Sequence, residues 1–481
     1  MLKSRKRFLA LAMTLVLAFS VATVSAAGVE KAAPVDIIRL VPAEDGDSFL
    51  DGSNVAELPD GSLLAVWSQG DGGPEGTTTR IMGARLPAGE KNWTEPFAVI
   101  DVFGVADMDP VLYVDQNGTL WMFWYPVMSA VVETAQLRFA YASEGSYEFT
   151  AVGNAAPDWD WSDTVPLKIG MISGNPIQEG QTKVKGMVNG TYIDNEWIED
   201  TFLTRVKEDY ADLTDYLTGE GASAGDLETR YTNVLQKIGG DDSYQIFTPT
   251  VADKLWPKSG VVQRSGYPLL RRIGWQTKGT PVEITVKAGT LLSNGQTAGE
   301  ATNRMVLPLY SEGLGMSMMI LTDDGGKTWM VSEPIIGDDN LQPVLVKSGD
   351  GLLAIMKTGE GGFKQGKAQV AFSEDGYTWD VARYSDSIPD SGNGLDAVLV
   401  GDSQVVVTAD EDGLTVALSK DNGDTWNTRT IEAEADTAFA HPSAAVNGDG
   451  KICITYTVVD DTNGNTVQFV TVDEAWITEA V

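Results

Sequence analysis

Three segments of this 481-residue chain repeat one pattern: Thr322-Asp323-Asp324-Gly325-Gly326-Lys327-Thr328-Trp329, Ser373-Glu374-Asp375-Gly376-Tyr377-Thr378-Trp379 and Ser419-Lys420-Asp421-Asn422-Gly423-Asp424-Thr425-Trp426. Their tryptophans fall 50 and 47 residues apart. Ser, Thr and Asp side chains bond turn amides, Gly takes the positive φ, and Trp covers the turn. Each segment therefore reads as the tip of a β-hairpin. A period near 50 residues points to an array of similar sheets.

A second repeat fixes how many sheets there are. Gly61, Gly118, Gly289, Gly351 and Gly450 each close a polar turn before an apolar run, and eight residues upstream stands Ser53, Pro110, Pro281, Pro343 or Pro442. A sixth copy, Asp396 to Val400, has a shortened turn at Gly401-Asp402-Ser403. Near Gly289 the second strand is better placed at Met305 to Tyr310. Six strand-turn-strand units, three of them carrying the Trp hairpin, predict an all-β, six-bladed β-propeller of four-stranded blades. A strand near Ile37 to Leu40 is expected to close the last blade and remove its open edge. Between the second and third units, over about 171–265, the pattern changes and predicts a helical insertion. Ile198, Phe202, Val206, Tyr210, Leu213 and Leu217 share one helical face there, and Leu227 to Ile238 suits a second helix. The insertion is expected to leave and return on one face of the disc.

Composition removes much chemistry. The chain carries 34 Lys+Arg against 68 Asp+Glu, a formal charge of −34. Such a surface does not displace counterions from phosphates, so nucleic acid is not an expected partner. One His and one Cys, His441 and Cys453, leave no His-based zinc motif, no CxxC pair and no intrachain disulfide. No metal and no cofactor is expected, and the oxygen-rich loops Asp410-Glu411-Asp412-Gly413 and Asp460 to Asn465 lack EF-hand spacing. Residues 1–26 have the basic head, apolar core and Val24-Ser25-Ala26 end of a signal peptide. The expectation is a secreted or periplasmic protein, 27–481, with no membrane span after cleavage.

The Trp hairpins resemble the Asp boxes of sialidases, the bacterial neuraminidase repeat. The stretches 57–67, 159–163, 274–277, 307–311, 341–343 and 472–477 are similar to a sialidase-like group described as exo-alpha-sialidase. This resemblance implies a glycan partner, three arginines around a carboxylate, a Tyr–Glu nucleophile pair and an Asp acid. The chain departs from that pattern. Its opening Arg-Ile-Pro is missing, Lys278 and Thr280 stand where Arg and His are usual, Lys357 replaces Arg, and His441 replaces Tyr. Lysine lacks the planar fork that suits a carboxylate.

In a propeller of this kind the first strand of each unit lines the axis, and its start lies on the face without Trp hairpins. That ring reads Asp51/Gly52, Asp109, Thr280, Gln342, Asp396 and His441, and the loops between second and third strands add Glu75, Arg80, Tyr310, Glu312 and Lys357. Tyr310, Glu75, Asp396 and His441 are the catalytic candidates. Arg80, Asp109, Trp275, Lys278, Gln342 and Lys357 are the substrate-binding candidates. Each also has a plainer reading. Glu75 and Arg80 fit a solvated loop pair, Tyr310 and Trp275 fit core packing, Asp109 and Asp396 fit turn caps, and His441 fits a hydrogen-bonded packed residue. Cys453 reads as inert core. The leading expectation is an exported glycoside hydrolase acting on terminal sugars. A non-catalytic glycan-binding propeller and a polysaccharide lyase are the alternatives.

Overall fold

The computed structural model describes residues 38–41, 49–70, 72, 76, 78–102, 104–127, 132–142, 165–166, 183–184, 187–188, 192–193, 203–230, 274–411, 413–433, 437–459 and 464–479. The proposed signal peptide, Glu75, residues 159–163, most of 171–265 and the loop at 460–463 lie outside them. Strand β1 (Ile38–Val41) comes first. Blade 1 is β2 (Phe49–Glu57), β3 (Leu63–Gly70), β4 (Arg80–Leu86) and β5 (Phe97–Ile100). Blade 2 is β6 (Ala106–Val114), β7 (Leu120–Val127), β8 (Arg138–Ala142) and β9 (Val165–Pro166). A small meander follows, β10 (Lys183–Val184), β11 (Met187–Val188) and β12 (Tyr192–Ile193). Blade 3 is β13 (Val282–Val286), β14 (Thr302–Ser311), β15 (Met316–Thr322) and β16 (Met330–Val331). Blade 4 is β17 (Asn340–Ser348), β18 (Gly351–Thr358), β19 (Ala368–Ser373) and β20 (Arg383–Tyr384). Blade 5 is β21 (Leu395–Val400), β22 (Ser403–Ala409), β23 (Leu414–Ser419) and β24 (Asn427–Glu432). Blade 6 is β25 (Ala438–Val446), β26 (Ile452–Val459) and β27 (Thr466–Val472), completed by β1 in antiparallel pairing with β27. The N-terminal strand thus closes the ring where the sequence placed it.

The protein is an all-β six-bladed propeller. One cavity of about 370 Å³ on the axis is lined by Val55, Leu112, Val282, Leu345, Ala397 and Ala444, one residue from each inner strand. Second strands are sandwiched between neighbouring blades, so β3 and β7 are buried along their whole length. This is why they read as unbroken apolar runs rather than alternating ones. A fully buried large apolar side chain contributes about 1.5–3 kcal/mol, and Trp67, Trp124 and Phe123 are of that kind.

The three hairpin tips close as their residues dictate. The Ser or Thr hydroxyl accepts from a Gly amide in each, at 2.9 Å for Thr322–Gly326 and 2.8 Å for Ser373–Gly376 and Ser419–Gly423. The Asp carboxylate accepts from amides further along the turn: Thr328, Tyr377 and Thr425, each at 2.8 Å. Trp379 and Trp426 donate their indole N–H to the turn carbonyls of Gly376 and Gly423. Trp329 and Trp379 are buried and Trp426 is half-buried.

Within 171–265 the described residues are not all helical. Strands β10, β11 and β12 lie there, paired antiparallel in that order. Helix α1 (Leu203–Gly219) follows, and residues 224–230 are also helical. Tyr210, Leu213 and Leu217 form the buried face of α1, as their spacing requires. The helix lies against the outer strand of blade 4. Its Tyr216 hydroxyl accepts from the Tyr384 amide at 3.1 Å, its Asp212 pairs with Arg383 at 2.5 Å, and its Arg205 donates to the Trp379 carbonyl at 2.6 Å.

Candidate functional site: a ring of bulged strands around the axis

Four inner strands break register at equivalent points: β2 between Asp51 and Asn54, β6 between Met108 and Val111, β17 between Leu341 and Val344, and β25 between Ala440 and Ser443. Each break is a bulge, and each holds one residue in the left-handed region: Gly52 (φ 65°), Asp109 (44°), Gln342 (50°) and His441 (46°). Three of these are not glycine and precede a proline, which favours extended backbone instead. Such backbone costs of order 1–3 kcal/mol per residue and persists where the surrounding structure imposes it, typically at functional sites. This strain recurs in three blades, at Asp109, Gln342 and His441, and the bulge in a fourth, at Gly52, which makes this level of the propeller the candidate site. β21 runs without a break, so Asp396 is not bulged.

The ring residues form two polar groups, one around Asp109 and one around Asp51. A Cβ added to Gly52 would fall 2.2 Å from Asp109 Oδ1, so only glycine allows the two strands this approach. The Asp109 carboxylate accepts the Tyr125 hydroxyl hydrogen bond, and Gln276 Nε2 donates to the Tyr125 oxygen at 3.4 Å. The Tyr310 hydroxyl shares hydrogen bonds with Tyr125 and Gln342. Burial, and then the Asp109 carboxylate, push both tyrosine hydroxyls well above their ordinary range. On the other side, His441 Nδ1 lies 2.7 Å from Asp51 Oδ2. Burial acts to raise the Asp51 carboxyl, yet the His441 charge and hydrogen bond, with the Gly52 amide and Thr457 hydroxyl, bring it down to about 2. Burial lowers the Lys357 ammonium against the opposing pull of Glu312, Asp51, Glu360 and Asp339.

Other expected site residues are placed elsewhere. Lys278 is 3 % exposed and its Nζ donates to the Ser53 carbonyl at 3.1 Å, across the axis. Asp396 is 2 % exposed, and its oxygens accept from the Ala397 and Ala444 amides, both at 2.8 Å. Burial raises its carboxyl to about 6, against those amides, the Lys278 charge and the Ser443 hydroxyl. Both side chains are buried, and the Lys278 charge only partly offsets the effect of burial on Asp396. Trp275 is 1 % exposed inside the core with Leu307 and Leu309, which leaves no face to stack on a sugar. Arg80 starts β4, with its Nε directed at Met82 Sδ at 3.3 Å. Cys453 is buried, and burial with the nearby Glu57 charge pushes its thiol up to about 12. Asp410 accepts from the Gly413 amide, an ordinary turn bond.

The arginines bear on the resemblance. Arg304 is fully buried and bound to Asp323 at 2.8 Å and to the Asp375 carbonyl at 3.0 Å, stapling the hairpin side of blades 3 and 4. Arg85 pairs with Asp60, Arg383 with Asp212, and Arg429 lies over the Trp476 ring. A three-arginine clamp is not assembled among the described residues. Sequence reasoning missed Tyr125 and Gln276. The rule that selected Tyr310, the pocket-face end of a second strand, applies equally to Tyr125 in β7.

Residues 280–454 match a family profile described as a BNR repeat-like domain. No curated protein matches the sequence. Among solved structures, the chain resembles a protein of unknown function from Dyadobacter fermentans, with 11 % identity and a TM-score of 0.51 over 91 % of this chain and 98 % of that one. It also resembles Trypanosoma rangeli sialidase in complex with the inhibitor DANA, at 10 % identity and a TM-score of 0.50, over 91 % of this chain and 59 % of that one. A Hadza microbial sialidase aligns at 11 % identity and 0.50, over 90 % of this chain and 67 % of that one. The fold is a sialidase-like β-propeller. Among the described residues no helix is long and apolar enough to cross a membrane.

Proposed function

We propose that the chain is an exported glycoside hydrolase that holds the terminal sugar of a glycan in the axial ring. The signal-like residues 1–26 supply the export, and 171–265 supply a largely helical insertion between blades 2 and 3. The observation that carries the reading is the set of four bulges at one level of the axis, presenting Gly52 and the strained Asp109, Gln342 and His441. In this reading Tyr310 attacks the anomeric carbon while its proton passes to the Tyr125 oxygen, and the Tyr125 proton passes to Asp109. Protonated His441, oriented by Asp51, gives its proton to the departing glycosidic oxygen. Water then attacks the tyrosyl glycoside, yielding one proton to His441, and the phenolate recovers its proton through Tyr125. A tyrosine nucleophile avoids the repulsion a carboxylate would suffer near other negative groups. Lys278 and Asp396, both buried, take no chemical step in this reading.

Sialic acid is not the favoured sugar, because lysine replaces arginine at two positions and the ring is rich in carboxylates. A panel of chromogenic glycosides tests this, with absorbance followed in the unsaturated-uronate band. A neutral glycoside should turn over, and Tyr310→Phe should abolish turnover while leaving binding largely intact. Sialic acid release with kcat/KM of about 10⁴ M⁻¹s⁻¹ or more would overturn the sugar assignment. Growth of uronate absorbance would mean a lyase.

A second reading, a glycan-binding propeller without turnover, is favoured by one observation. Tyr310 is 2 % exposed and its hydroxyl is held well above its ordinary range. Binding with no glycoside cleaved would select it.

A further inference from the structure

Beside the ring lies a second cavity, of about 620 Å³, between the helical segment and the loops of blades 3 and 4. That is within the range of small-molecule sites, roughly 300–1,000 Å³. Its polar lining is Arg230, Glu312, Asp339, Lys357 and Glu360, with Tyr210 of α1 as the aromatic wall. The cavity adjoins the ring. Lys357 lines it and also feels the Asp51 charge, Glu312 acts on the Tyr310 hydroxyl, and its lining residue Leu341 is the chain neighbour of Gln342.

One wall is built under strain. Asp339 is non-glycine with φ 54°, and three glycines make room for its carboxylate. A Cβ at Gly315 or Gly359 would come within 2.4 Å of its oxygens, and the Gly361 amide donates to Oδ2 at 2.7 Å. Arg230 of the helical segment is bound at 2.6 Å to the buried Asp338, the chain neighbour of Asp339. That ion pair offsets the Arg230 charge, so among the described lining residues three carboxylates, Glu312, Asp339 and Glu360, face the one ammonium of Lys357. A surplus of carboxylates accepts hydrogen bonds from vicinal hydroxyls and repels anions.

We infer that this cleft is a second sugar site, which holds the neutral, hydroxyl-rich unit next to the terminal sugar. The inference rests on the ring being a glycan site. It makes the ligand a chain of at least two sugars, the second lying between Tyr210 and Asp339.

Calorimetry of the full protein with a neutral monosaccharide, its disaccharide and trisaccharide, and a disaccharide with a uronic acid as second unit tests this. The neutral disaccharide should bind at least about tenfold tighter than the monosaccharide, a difference of about 1.4 kcal/mol. The uronate version should lose that gain. Glu360 is exposed, so Glu360→Trp should fill the cleft without unfolding the protein, checked by its Tm. In that variant the disaccharide-to-monosaccharide ratio should fall to about one. Saturation-transfer NMR on the wild type should mark protons of both sugar units.

Three outcomes overturn the inference alone: equal affinity for one sugar and two, a ratio unchanged in Glu360→Trp, or saturation of only the terminal unit. A uronate disaccharide that binds as tightly as the neutral one overturns its chemical class. Absence of binding by every sugar overturns the ring reading, and the second site falls with it.

Discussion

The two faces of the disc use the same residue types in opposite ways. On the hairpin face, Asp324, Asp375 and Asp421 spend their carboxylates on amides within four residues, and positive φ falls mostly on glycines such as Gly325, Gly376 and Gly423. Asn422 is the exception, and asparagine tolerates that region. On the pocket face, Asp51 pairs with His441 from the last blade, and Asp109 binds Tyr125 from the strand beside it. Left-handed backbone falls there on Asp109, Gln342 and His441. Local satisfaction with little strain is what a stabilising element requires. Long-range pairing under strain is what a site requires, and the contrast separates the two roles without reference to any ligand.

The contrast breaks if a hairpin residue governs binding. Trp379→Ala should cost about 3–5 kcal/mol of stability, since the indole is 1 % exposed. Affinity among the folded molecules should not change. Denaturant titration and calorimetry below the new Tm measure both, and a binding loss without a stability loss would reverse the assignment of faces.

Next in size is Gly52→Ala. The left-handed backbone and the displacement of Asp109 together should cost about 2–3 kcal/mol. Unlike the tryptophan variant, it should also weaken glycan binding in the molecules that remain folded. Retained affinity would show that Asp109 is not held for the ligand.

The ion pair on the pocket face gives a pH signature. Asp51 has a folded pKa of about 2, below the unfolded value near 4, so its stabilisation is present above pH 4. It is lost as pH falls from about 4 towards 2, and amounts to roughly 2 kcal/mol. Asp396 acts with the opposite sign. Its folded pKa of about 6 lies above the unfolded value, so stability rises as pH drops from 7 towards 5. Tm should therefore pass through a maximum between about pH 4 and 5. His441→Gln should shrink the acid branch, and an unaltered acid branch would show that the pair does not hold Asp51 ionised.

These roles were legible in the sequence to different depths. Blade count, the closing strand and the hairpin tips follow from turn chemistry and spacing, which act over eight residues or fewer. The ring was legible as a level on the axis, because strand starts are countable. Its side-chain directions were not. A left-handed residue before proline opposes local preference, so nothing at Asp109-Pro110, Gln342-Pro343 or His441-Pro442 announces a bulge. Lys278 and Trp275 precede a strand, and whether they face the axis or the core depends on partners in blades 1 and 3. Tyr125 lay hidden in the apolar run of β7, although its position matched that of Tyr310.

The smallest effect is the sharpest control. Gly325→Ala places a Cβ at φ 68° with nothing within 4 Å, so only the backbone resists it. The cost should be about 1 kcal/mol, less whatever stability alanine gains by restricting the unfolded chain. Gly52→Ala has nearly the same φ, at 65°, and differs in what the new methyl meets. Subtracting one stability change from the other removes the common backbone cost. What remains is the cost of moving Asp109 against Tyr125 and the ring. Glycan affinity should follow that remainder and not the φ, so Gly325→Ala should bind like the wild type. Equal stability losses in the two variants would mean that Asp109 moves freely, and the pocket face would then carry no more strain than the hairpins do.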